Sequence, residues 1–172
     1  GDADLAAGAG AEFQKGDQNG RMQPATHCFL LANVDEDAAQ NGPPLHGKKP
    51  NSPVRKMIES GRYPLIPDNH FIGTPIGSGI YGFNAGHLWD VDNTDPVAVS
   101  KALILGRKMA QQFRDGLAEF APEAFGQAFL VSTGAAVGIR ETRRITGDYV
   151  LNLEDYLNRQ SFDDAICRNS YF

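Results

Sequence analysis

The chain has 172 residues, 41% of them hydrophobic and 22% charged, and carries a net charge of −5. That length can bury a core within one domain, and the acidic balance excludes a protein whose main task is to hold nucleic-acid phosphates. No apolar run reaches the roughly 18 residues that a membrane span needs, and no basic-then-apolar leader opens the sequence. We therefore expect no membrane partner, no nucleic-acid partner and a cytoplasmic location. Cys28 and Cys167 lie far apart without ligand spacing, which reads as two free thiols in a reducing compartment.

In chain order, Asp2 to Ala9 predicts a short Ala-rich helix closed by Gly10. Residues 12–20, with Gly16, Asp17, Asn19 and Gly20, predict a turn region. Pro24 to Val34 predicts a buried strand, and Asp35 to Pro50 a surface loop long enough to suggest an excursion or lid. Ser52, Pro53 and Gly61 mark the N-cap, first position and end of a compact helix. Residues 71–76 and 80–91 predict two strands of a hairpin joined by Gly77-Ser78-Gly79.

The strongest helix signal begins at Asp95-Pro96. Ala102, Leu105, Met109, Phe113, Leu117 and Phe120 then recur at steps of three or four and define one apolar stripe, which stops near Pro122. Ala128 to Ile139 predicts a second buried strand, and Asp148 to Leu151 an extended piece. Asn152 and Ser161 each start a short helix. The mixed order of elements gives an α+β class: a mixed or antiparallel sheet, one long amphipathic helix over about 96–121, and short flanking helices. Residues 1–172 are expected to form a single domain. The start on Gly1 and the stop at Phe172, without a polar tail, suggest a piece of a longer protein.

Gly77-Ser78-Gly79-Ile80-Tyr81-Gly82 spells the dinucleotide fingerprint, yet no helical stripe follows it and the acid that should lie about 20 residues on is absent. It reads as a turn. Among the histidines, His70 and His87 flank the proposed hairpin and are placed to meet across it, as general acid or base. His27 and Cys28 point to opposite faces of a strand and cannot chelate one metal together; no metal site is expected. Tyr81, Phe83 and Trp89 fall at odd positions of one strand and should share a face, as core or as the wall of a ligand pocket.

Arg140-Glu141-Thr142-Arg143-Arg144 puts four charges into five residues after an almost uncharged segment. If extended, Arg140 and Arg144 share one face and Glu141 and Arg143 pair on the other. Two guanidinium groups on one face make a clamp for a carboxylate or phosphate. A structural ion-pair network explains the same residues equally well.

These residues resemble a known family. Arg140-Glu141-Thr142-Arg143-Arg144-Ile145-Thr146-Gly147-Asp148-Tyr149 is similar to the R-E-T-R-R-I-x-G-x-Y signature of a large bacterial group of FAD-dependent oxidoreductases. Gly1-Asp2-Ala3-Asp4-Leu5-Ala6, Gly20-Arg21-Met22-Gln23-Pro24-Ala25-Thr26 and Phe162-Asp163-Asp164-Ala165-Ile166-Cys167-Arg168 resemble three further family segments in order.

The resemblance implies the middle, substrate-domain or cap portion of such a flavoprotein, with the FAD-binding segments on either side missing and the isolated piece inactive. It implies hydride transfer between flavin and a small, possibly anionic, substrate. Gly1, Asp2, Asp4 and Arg140 would approach FAD. Arg140 with Arg144 or Arg143 would hold a substrate carboxylate or stabilise negative charge on the flavin, and Glu141 would orient one of them. His70, His87 or Tyr81 would move the proton. The alternative is a non-catalytic module that binds an anion or other ligand, and a metal-dependent hydrolase is disfavoured because no ligand spacing occurs.

Overall fold

The computed structural model describes residues 2–168. Its strands all pair antiparallel, and the class is α+β as expected. A four-stranded sheet contains β3 (Phe29–Ala32), β4 (Phe71–Gly77), β5 (Ile80–Ala85) and β7 (Phe129–Thr133) in the order β4-β5-β3-β7. Two small ribbons join β1 (Phe13–Lys15) to β8 (Arg143–Ile145), and β2 (Ala25–Thr26) to β6 (His87–Leu88). The helices are α1 (Asp4–Gly8), α2 (Glu36–Asn41), α3 (Pro53–Ser60), α4 (Pro96–Phe120), α5 (Pro122–Phe125) and α6 (Leu153–Leu157).

Helix α4 forms where the sequence places it. The Asp95 carboxylate accepts from the Val97 N–H at 2.9 Å, Pro96 occupies the first turn, and the helix ends at Phe120. Its buried stripe is Ala102, Gly106, Met109, Ala110, Phe113, Gly116 and Leu117. Leu105 was expected on that stripe and is instead exposed. The glycines explain the shift, because each lets a bulky neighbour approach the helix backbone. A Cβ on Gly106 would lie 2.7 Å from the His27 ring, and one on Gly116 would lie 2.6 Å from the Met57 sulfur of α3. Helix α3 is capped as predicted, with Ser52 Oγ accepting from the Val54 N–H at 3.1 Å.

The core between α4 and the sheet is a chain of phenylalanines. Phe29 stacks on Phe83 at 5.0 Å and on Phe113 at 5.8 Å, and Phe71 packs 5.1 Å from Phe113. Aromatic pairs at such spacing contribute about 0.5–1.5 kcal/mol each beyond the area they bury. Tyr81, Phe83 and Ala85 point inward from β5.

Several expectations are corrected. The predicted strand from Pro24 to Val34 is split, because Thr26 pairs with His87 in a separate ribbon while Phe29 pairs with Phe83. The strand predicted over 80–91 breaks at Gly86, whose φ is +69°. Trp89 therefore leaves the face of Tyr81 and Phe83 and is 53% exposed. The segment 128–139 is not a buried strand. Only Phe129–Thr133 is extended, at the edge of the sheet, with Phe129 53% and Val131 51% exposed. An apolar run reports strand potential and leaves burial open. The loop predicted over 35–50 contains α2, whose first turn is capped by the Asp35 carboxylate on the Ala38 N–H. The turn region 12–20 contains β1. Ser161 does not start a helix, as residues 161–168 hold a turn and irregular chain.

Candidate functional site

The hairpin β4–β5 brings its two ends together. At its open end the Gly86 N–H donates to the His70 carbonyl at 3.2 Å, and His87 follows at once in β6. Because Phe71 points into the core, His70 projects to the opposite face of the sheet. There its imidazole stacks on that of His87, with ring centroids 4.5 Å apart and planes within 14°. The expectation that these two histidines meet across the hairpin is met. Tyr81, the third candidate for proton transfer, is buried at the turn end, paired with Pro75 and Leu31.

Asp68 completes this group, and sequence reasoning missed it. It lies in the turn before β4, where its Oδ1 accepts from the His70 backbone N–H at 2.8 Å. Its Oδ2 meets His87 Nδ1 at 2.8 Å and accepts from Trp89 Nε1 at 3.0 Å. The visible signal was Asp-Asn-His, in which an aspartate two residues before an N–H donor forms a side-chain turn. Burial pushes the Asp68 carboxyl up, but the donors from His70, Trp89 and His87 outweigh it and hold the group below its ordinary value. Burial, with the neighbouring His87, pushes the His70 imidazole down, and Arg140 adds to that while Asn84 and Asp68 oppose it. His70 Nε2 is buried without a partner.

Arg140 reaches this cluster through the smaller ribbon. Thr26 stands between His87, its partner in β6, and Gly138, with which it exchanges two backbone hydrogen bonds of 3.1 and 2.7 Å. Arg140 follows Gly138 by two residues, close enough for its charge to act on His70. Its side chain makes no hydrogen bond or ion pair with the described residues.

The other charges of the motif are engaged elsewhere. Arg144 pairs with Glu141 and donates to the Gly16 carbonyl. Arg143 pairs with the Asp4 carboxylate, donates to the Asp2 carbonyl at 2.7 Å and lies 5.3 Å over the Phe13 ring. The expected Glu141–Arg143 pair is thus replaced by Glu141–Arg144; residues 140–142 lie outside any strand, and Thr142 is fully buried. Arg140 and Arg144 do not form a two-guanidinium clamp, since Arg144 is occupied. Asp2 and Asp4 are drawn to Arg143, and the Nε of Arg143 stays buried without a partner. Gly1 lies outside the described residues.

Beside the histidines, Trp89 forms one wall of an open groove of about 540 Å³, lined also by Asp17, Arg21, Met22, Gln23 and Asp90. Four of those six residues come from the loop that contains Gly20-Arg21-Met22-Gln23. The Gly77 run is the β4–β5 hairpin turn, with Gly79 at φ +65° and Gly77 paired with Ile80. It leads into a strand and not a helix, so it offers no helix N-terminus to a pyrophosphate.

No curated protein and no solved structure matches the chain. The family model described as FAD dependent oxidoreductase matches residues 1–172. The chain belongs to the FAD dependent oxidoreductase family.

Proposed function

We propose that this chain forms the substrate side of an FAD-dependent oxidoreductase, with segments outside it holding the dinucleotide. The observation that carries the reading is Arg140, an arginine without a hydrogen-bonding or ionic partner among the described residues, set beside a stacked histidine pair. A free guanidinium is matched to a carboxylate or to negative charge on a ring. The site fits an anionic group of flavin or substrate through the unpaired Arg140 guanidinium, whose charge acts on the His70 imidazole. FAD, when bound, exchanges a hydride with the substrate. Arg140 holds the substrate's anionic group, and the histidines hold the proton. Arg143, Arg144 and Glu141 fix the motif against α1 and β1 and keep Arg140 in place.

Exposed apolar side chains in the following segment support the placement next to further protein. Val150, Leu151, Leu153 and Leu157 are all more than 60% exposed, and clustered exposed apolar groups mark contact surfaces.

Arg140→Ala in the full-length protein tests the reading. Because Arg140 has no partner here, its loss should change stability by about 0.5 kcal/mol or less, while retention of flavin or affinity for an anionic substrate drops at least several-fold. Visible flavin absorbance and a melting curve on the same preparation read both. A lowered melting temperature with flavin and substrate binding intact would make the residue structural and remove the reading.

A further inference from the structure

We propose that His87, and not His70, carries the proton at this site, with Asp68 as its positioning residue. Asp68 fixes the His87 proton on Nδ1 and leaves Nε2 as the atom that takes or gives a proton. The inference rests on the substrate-side reading above. Its geometry, however, is contained wholly in this chain.

Three observations carry it. The Asp68 Oδ2 lies 2.8 Å from His87 Nδ1, and a carboxylate accepts only, so the neutral imidazole must donate from Nδ1. Asp68 is itself immobilised, by the His70 backbone N–H at 2.8 Å and by Trp89 Nε1 at 3.0 Å. Its orientation is therefore set before any ligand arrives. The two rings also differ in access. His70 Nε2 is buried without a partner among the described residues, whereas His87 Nε2 makes no hydrogen bond with them and is not one of their buried unpartnered atoms. A proton can reach the second and not the first.

His70 then has a different part. Stacked 4.5 Å from His87 and half-buried, it presents a ring face and not a nitrogen to its neighbour. Kept neutral, it adds no repulsion when His87 takes up a proton at Nε2 and becomes imidazolium. That charge faces Asp68 along a hydrogen bond already made, so little reorganises in the transfer, which is the advantage of fixed electrostatics. The indole of Trp89 ties the dyad to the groove beside it, so a ligand lying in the groove against that ring would have the dyad at its edge.

Nitrogen-15 spectra of the histidine-labelled 172-residue chain at neutral pH give the tautomer directly. We expect His87 with its proton on Nδ1 and Nε2 at the position of an unprotonated nitrogen. Asp68→Asn leaves one oxygen for two accepting positions and sets an NH2 against either the His70 N–H or His87 Nδ1, so it should weaken the preference for that tautomer. Asp68→Ala should shift it towards the Nε2–H form. Diethyl pyrocarbonate, which acylates an accessible unprotonated imidazole nitrogen, should label His87 and spare His70. A wild-type spectrum with the His87 proton on Nε2, or preferential labelling of His70, overturns the assignment without recourse to any variant. Absence of flavin from the full-length protein would instead remove the oxidoreductase reading and leave the tautomer standing, so the two failures are distinguishable.

Discussion

A histidine held neutral by burial stabilises a fold only while its unfolded counterpart is neutral as well. His70 is such a group. Burial, His87 and Arg140 lower its folded pKa, against Asn84 and Asp68, and His46 stands edge-on at 6.5 Å. The unfolded imidazole takes up its proton at about pH 6.5. Below that value the unfolded state binds more protons than the folded one, so stability falls with falling pH. The contribution is fully present above about pH 6.5 and is lost as the pH drops from there through the lower folded pKa. Urea midpoints measured across this range should decline for the wild type and decline less steeply for His70→Asn. Equal slopes would show that His70 does not titrate differently in the two states. Asp68, whose folded pKa is also lowered, acts in a separate and more acidic window, losing its contribution below about pH 4. The histidine pair was legible in the sequence because strand ends meet in any hairpin. Asp68 was not, because its role depends on a turn that lays one carboxylate over two donors, and spacing alone does not encode that.

At the scale of elements, one glycine separates the core strand from the site strand. Gly86 sits at φ +69°, and a Cβ there would lie 2.3 Å from the Met109 sulfur and 2.9 Å from the Phe113 ring. Both the backbone and the space require glycine. Gly86→Ala should cost about 2–4 kcal/mol, combining left-handed strain with overpacking. Gly79→Ala has the same sign of φ but its nearest contact is 3.5 Å, and it should cost about 1–2 kcal/mol. Denaturant midpoints of the two variants compare them, and equal losses would mean that α4 yields to the extra methyl. The elements that the sequence foretold are the capped helices α3, α4 and α6, the short α1, and the hairpin with its glycine turn. Strands β1, β2 and β8 span two or three residues, too few for any period to show. Strand β7 was foreseen as extended, but its exposure follows from an edge position that its own residues do not specify.

For the whole molecule, the family segments are far apart in sequence and adjacent in space. Arg144 donates to Gly16 across 128 residues, and Arg143 to Asp2 across 141. Closing a loop of that length removes about 4 kcal/mol of chain entropy, whereas the β4–β5 hairpin closes across a two-residue turn. Non-local pairings of this kind form late. Pulsed hydrogen exchange during refolding should therefore protect the amides of β4 and β5 before those of β1 and β8, and the opposite order would contradict this sequence of events. The histidines belong to the early unit and Arg140 to the late one. On the proposed reading, a nascent chain would then expose the histidine pair before it gains the cation proposed to anchor an anionic ligand, so ligand capture would wait on the last ribbon to close.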